Sequence, residues 1–187
     1  MALYGQISAS LLVGAAVSFL PMRRCSLAGM LAAAVALVSV APLIYGVTGP
    51  LSFTLTQLAL LKVCGDRFVP KQSLVATGLF IVFAAAFYPL ALGLGPFDPF
   101  DLGYRPKMLL IIMVPIALWL ALSFGPILVV IVGFDLIAYG AGLFDNLWSA
   151  LFDPILVVVA AARVGLNHFG AKRHPAGRIG DGEPTAS

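Results

Sequence analysis

Charge is what this 187-residue sequence has least of. Asp, Glu, Lys and Arg together make up 10% of it, against 61% hydrophobic residues. Soluble domains carry roughly a quarter charged residues, and disordered chains combine high charge with low hydrophobicity. Both classes are excluded, and so is a nucleic-acid-binding module. Histidine is nearly missing: His168 and His174 fall at the end of the last apolar run and in the polar tail, away from most aspartates. A Ser-His-Asp or His-Asp catalytic pair is therefore not expected. The two cysteines, Cys25 and Cys64, form neither a CxxC nor a zinc-type spacing. No EF-hand spacing, P-loop or strand-turn-helix glycine motif occurs, so no metal or cofactor is expected. The opening segment, MALYGQISASLLVGAAVSFLP, lacks the basic stretch of a cleaved signal peptide and reads as a retained first span.

What is present is a series of long apolar runs, with a mean hydropathy of +1.04. A bilayer crossing needs about 20 mostly apolar residues. The runs predict spans near residues 4–20, 26–46, 74–94, 108–123, 126–144 and 154–169. Met108 to Phe144 is one run of 37 residues, roughly 55 Å as a single helix. It is divided at Ser123-Phe124-Gly125-Pro126. Leu51–Cys64 is ambiguous: 14 residues carrying Ser52, Thr54, Thr56 and Gln57. It reads either as a short crossing with Lys62 snorkelling or as a re-entrant element.

Charge discriminates between the two. With seven crossings and the N-terminus outside, Arg23, Arg24, Lys62, Arg67, Lys71, Arg163, Lys172, Arg173 and Arg178 fall on the cytoplasmic side, and Arg105 and Lys107 fall outside, a division of 9 to 2. Six crossings give at best 7 to 4. The positive-inside rule favours seven. The expected fold is an all-α polytopic transmembrane bundle over residues 1–170, with six spans plus a re-entrant segment as the runner-up. Residues 171–187 read as a disordered cytoplasmic tail. Both cysteines then lie near the reducing face, where a disulfide is not expected.

The few acids form patterns. Five of the seven aspartates follow a phenylalanine: Asp98, Asp101, Asp135, Asp145 and Asp153. Four of these fall in two loops placed outside, together with Tyr104 and Trp148. They read either as helix caps among interfacial aromatics, with Asp153-Pro154 opening the last span, or as one acidic site. Residues 146–153 form an amphipathic stretch with Leu147, Trp148, Leu151 and Phe152 on one face, suited to the membrane interface or to docking on a partner. Asp135 differs, since it falls inside a span, where a carboxylate is costly and marks a functional hypothesis. Tyr139 is one turn away, Arg163 is a candidate counter-ion, and Gln57 with Thr54 and Thr56 offers a shared polar pocket. Gln6, Ser8 and Ser10, like Thr54, Thr56 and Gln57, are expected either to hydrogen-bond between helices or to share that pocket with Asp135, and Gly29 and Ala33 to let helices pack closely.

Through Tyr88-Pro89-Leu90-Ala91-Leu92-Gly93, Asp98 to Tyr104, Asp145-Asn146-Leu147-Trp148 and Asp153-Pro154, the chain resembles small proteobacterial inner-membrane proteins of no assigned function. The resemblance implies a bacterial inner membrane and carries over no activity or site residue. Three functional classes follow from the residues. The first is an accessory or scaffold subunit of a cell-envelope complex, docking a membrane or periplasmic protein. The second is a small transporter or membrane substrate-binding subunit built on Asp135. The third is a membrane enzyme acting on lipid-linked substrates through the outer carboxylates.

Overall fold

Long apolar runs with little interior charge leave the backbone two ways to satisfy its polar groups away from water, and a run of this length takes the helical one. The computed structural model describes residues 2–20, 25–65, 74–124, 126–151 and 153–171. Most of the basic loop and tail positions, Phe152 and the tail itself lie outside the described residues. Those described are helical, with no strand. In chain order they form α1 (Ala2–Ser18), α2 (Cys25–Ser39), α3 (Ala41–Thr48), α4 (Phe53–Cys64), α5 (Leu74–Ala91), a 3-10 helix (Pro99–Tyr104), α6 (Pro106–Phe124), α7 (Ile127–Gly140), α8 (Leu147–Leu151) and α9 (Pro154–Ala171).

Seven spans are expected from the sequence, and fewer meet the length. Among the described residues, Leu74–Ala91, Pro106–Ser123 and Leu147–Leu166 are long and apolar enough to cross a bilayer. The pair α2 and α3, bent by 72° at their junction, makes a fourth if taken as one span. Pro42, the second residue of α3, explains the bend, because it has no N–H to donate and its ring crowds the preceding turn. The 12-residue α4 extends about 18 Å and the 14-residue α7 about 21 Å, short of the roughly 30 Å hydrocarbon core. Two of the expected spans are shortened by the same device. In α5, the N–H of Gly93 (φ 80°) donates to Leu90 O and that of Leu94 to Pro89 O. In α7, Gly142 (φ 75°) donates to Tyr139 O and Leu143 to Ala138 O. This paired closure needs a left-handed residue, which glycine supplies. It ends the helices while the sequence is still apolar.

Packing runs along the chain. α1 lies against α2, α3 and α4; α4 reaches α7 and α8; α5 lies on α9 and α6 on α7; the 3-10 helix sits among α5, α6 and α8. Gly14 and Gly29 bring α1 and α2 together. A Cβ on Gly14 would meet Gly29 O at 2.6 Å and Ala33 Cβ at 2.8 Å, so the expected small-residue row is a helix-helix contact. At one end of the molecule Leu51, Phe87, Leu109, Leu147 and Trp148 form the main buried cluster. By contrast, the apolar stretches of α5 and α6 are only 11% and 6% buried. Helices this apolar and this uncovered are matched to lipid rather than water.

Gly14→Leu should lower stability in detergent by about 1–3 kcal/mol, the usual cost of forcing a side chain into a closed contact. Gly78→Leu, where an added Cβ meets nothing, should be neutral or stabilising by up to about 1 kcal/mol through helix propensity. Thermal unfolding of the two variants side by side makes the comparison. Equal effects would contradict the α1–α2 contact.

Candidate functional site

The polar residues of α4 decide the interior. Its N-terminus is closed by Ser52, whose Oγ accepts from the Leu55 N–H at 3.3 Å, an ordinary serine cap. One turn on, Thr54 and Gln57 point at α7. Thr54 Oγ1 donates to Asp135 Oδ2 at 2.6 Å, and Gln57 Nε2 donates to Asp135 Oδ1 at 2.8 Å and to Ile131 O at 3.1 Å. Asp135 is fully buried. Of the residues expected around Asp135, Thr54 and Gln57 are brought to it, whereas Thr56 bonds Ser52 O one turn back.

Arg163 and Tyr139, also expected beside Asp135, are elsewhere. Arg163 is exposed on α9, and both partners of Asp135 are uncharged, so Arg163 is not its counter-ion. The register of α9 explains this: its buried contacts come from residues such as Leu156 near its start. Tyr139 is half-buried in the main cluster and makes no hydrogen bond to Asp135. Ser8 and Ser10 of α1 also depart from expectation. Ser8 Oγ donates to Gly5 O and Ser10 Oγ to Ile7 O, so both bond within their own helix rather than across to another.

A second polar cluster lies at the α4 N-terminus. Tyr4 Oη donates to Leu51 O at 2.9 Å and lies 3.0 Å from Thr56 Oγ1. Asp153 caps α9, accepting the Leu156 N–H at 2.8 Å, and its other oxygen accepts the Ser52 N–H at 2.6 Å. The capping role was legible in Asp153-Pro154. The link to Ser52, a hundred residues away, had no signal in the sequence.

The remaining outer aspartates have separate roles. Asp98 accepts the Phe100 N–H at 2.8 Å and so caps the 3-10 helix. Asp101 makes an exposed ion pair with Arg105 at 3.7 Å. Asp145 is exposed, and Tyr104 sets its ring edge-on to Phe100 at 6.2 Å. Among the described residues no group of three or more His, Cys, Asp or Glu is placed to hold a metal ion. Trp148 reverses its expected role. Instead of facing the interface or a partner it is buried, 4.8 Å from the Phe87 ring, with Nε1 donating to Pro99 O at 2.9 Å. Asn146, which precedes that apolar face, is buried beside it. Its Nδ2 donates to Phe100 O and its Oδ1 accepts the Trp148 N–H. Amphipathic spacing identifies a face but not what the face meets, and here it meets the 3-10 helix and α5. Of the phenylalanines preceding these aspartates, Phe144 is buried and Phe97 exposed.

A shallow cleft between α6, α7 and α8 is lined by apolar side chains alone, among them Leu110, Val114, Ala117, Val132, Leu147 and Leu151. It does not reach Asp135, Thr54 or Gln57.

A double-mutant cycle between Gln57→Leu and Asp135→Leu should give a coupling energy of about 0.5–1.7 kcal/mol, the range of interhelical hydrogen bonds in membranes. The same cycle between Asp135 and Arg163 should give none. Asp153→Ala should cost about 1–2 kcal/mol as a lost cap, and more than Asp98→Ala, whose cap hydrogen bond is itself exposed. Both sets are read from unfolding in detergent.

Comparison of the chain with protein-family models, with curated proteins and with solved structures finds no match.

Proposed function

We propose that the chain is an accessory or scaffold subunit of a cell-envelope complex, embedded in a bacterial inner membrane. One contrast carries the reading. Every buried side-chain nitrogen and oxygen among the described residues is bonded within the molecule, while few residues of α5 and α6 are fully buried and many of their large apolar side chains, among them Val82, Ile111 and Leu118, are exposed. Chemistry and transport both need polar groups converging on accessible space. In this chain the buried polar groups either join helices or bond within their own helix, and the surface left over is apolar and suited to lipid or to another membrane subunit. The carboxylates on which an enzymatic reading rests serve mainly as caps and a surface ion pair.

One observation favours transport as the second reading. Asp135 is a fully buried acid on a helix too short to span, held by a second short helix. Interrupted helices that meet around a polar group are the usual architecture of transporter sites.

The proposed topology has seven passes with the N-terminus outside. Contacts along α4 support it. The start of α4 bonds Tyr4 at the start of α1. Its far end carries Lys62 over the ring of Phe19, 4.3 Å away, just beyond the end of α1. The α4 helix thus runs alongside α1 in the same direction instead of folding back, which supports a crossing, with the local bilayer thinned to fit.

In intact spheroplasts, a membrane-impermeant thiol reagent should label Asp101→Cys and leave the native Cys64 unlabelled until the membrane is permeabilised. The reverse pattern would overturn the orientation. Purification in native lipid should recover a second membrane protein in constant ratio to this one. Recovery of the chain alone, together with a solute flux abolished by Asp135→Asn, would replace the scaffold reading with transport.

A further inference from the structure

α9 carries a cation where its neighbours stop. Arg163 lies near the middle of this helix, which runs from Pro154 to Ala171. It is about 14 Å from one end and about 12 Å from the other, close to mid-depth in a hydrocarbon core roughly 30 Å thick. Leu156 lies two turns earlier on the same side, since a seven-residue step keeps one helical face. Leu156 is buried, while Arg163 is exposed, together with Val159 and Leu166 one turn to either side of it. The side that packs α9 into the molecule therefore continues past Leu156 without cover. Ala160, half-buried between Leu156 and Arg163, adds little bulk there, so another helix can approach closely.

An ionised side chain at such depth is almost always paired or turned to a water-filled space. Arg163 has neither an ion pair nor a hydrogen-bond partner among the described residues. Asp135 is the one acid inside the apolar helices among those residues, and it is fully buried and held by Thr54 and Gln57. Asp66, Asp181 and Glu183 fall in polar segments outside the apolar runs. A second copy of the chain brings the same acids, with its Asp135 enclosed in the same way. The complementary charge must come from a different protein.

We propose that Arg163 and the exposed side of α9 seat a transmembrane helix of another membrane protein, one that carries an aspartate or glutamate near the middle of its span. Pairing relieves two charges that are each costly alone at that depth. Val159, Ala160 and Leu166 supply the apolar contact around the pair. The inference names the partner chemistry of the scaffold reading and rests on that reading.

The probe is a synthetic leucine-alanine helix of about 20 residues, long enough to cross a bilayer, with one central Asp. The full chain, labelled on the exposed Cys64, is placed with labelled peptide in phosphatidylcholine vesicles, where no anionic headgroup competes. Association is read by energy transfer. The Asp peptide should bind about tenfold more tightly than the same peptide with Leu or Asn at that position. Arg163→Gln, a change at an exposed position, should remove the difference. Arg163→Glu should transfer it to a peptide with a central Arg. Val159→Trp, beside Arg163, should weaken binding, whereas Val158→Trp, exposed on the far side of α9, should not. Equal binding of the three peptides by wild type, the result expected of an arginine that bends to the headgroups, would overturn the seat. So would an undiminished preference in Arg163→Gln. In native lipid, the membrane protein recovered with the wild-type chain should be lost from Arg163→Gln. Recovery at an unchanged ratio would put that partner on another face, overturning the seat while the scaffold reading stands. Binding of the Asp peptide with no protein recovered would count against the scaffold reading and not against the seat.

Discussion

The shortest of the main apolar helices carries the most cross-links. α4 is tied through its N-terminus to Tyr4 of α1 and Asp153 of α9, through Thr54 and Gln57 to Asp135 of α7, and through Val63 O, which accepts from the Ser26 hydroxyl, to α2. In lipid there is little hydrophobic force between helices, because tails are as apolar as leucine. Hydrogen bonds and close backbone approach then determine which helices are neighbours. α4 supplies most of the first, and Gly14 and Gly29 supply the second. A helix with this many polar side chains is poorly suited to face lipid. Its polarity is consistent with its position, because each of Ser52, Thr54, Thr56 and Gln57 has a partner.

This arrangement explains what became of the acids. A buried carboxylate is tolerated only where its oxygens are bonded, and Asp135 and Asp153 each use both oxygens, on two donors apiece. The aromatic residues complete the same end of the molecule. Trp148, Phe83 and Phe87 pack against one another, and the carbonyls of Pro99 and Phe100 are held by Trp148 and Asn146. The loop that looked like a docking surface is therefore a lid over the main cluster. What stays exposed is a row of large apolar side chains on α5 and α6, such as Val82, Ile111 and Leu118. That division, polar groups spent inside and apolar faces left outside, is the basis of the scaffold reading.

Helix positions were largely legible in the sequence, and so was the break at Pro126, because apolar periodicity and proline act locally. The pairing of Asp135 with Gln57 and Thr54 was legible as well: few polar groups lie at that depth, and each needs another. Helix lengths were not, because Gly93 and Gly142 turn the chain within runs that remain hydrophobic. Nor were the burial of Trp148 and the exposure of Arg163. Spacing along one helix gives the angle of a side chain and nothing about the neighbour that angle meets. The bond from Ser52 to Asp153 belongs to the same class, since it depends on two helix ends meeting in space.

The central claim is that α4 is held inside the molecule by its hydrogen bonds to α7. Hydrogen-deuterium exchange of the chain in lipid nanodiscs tests it most directly. In wild type, residues 53–64 should be protected as strongly as α5. In Thr54→Val/Gln57→Leu, exchange should rise in α4 and α7 together while α5 stays protected. If α4 exchanged freely in wild type, or if its protection were the same in the variant, the hydrogen bonds to Asp135 would not be what holds it.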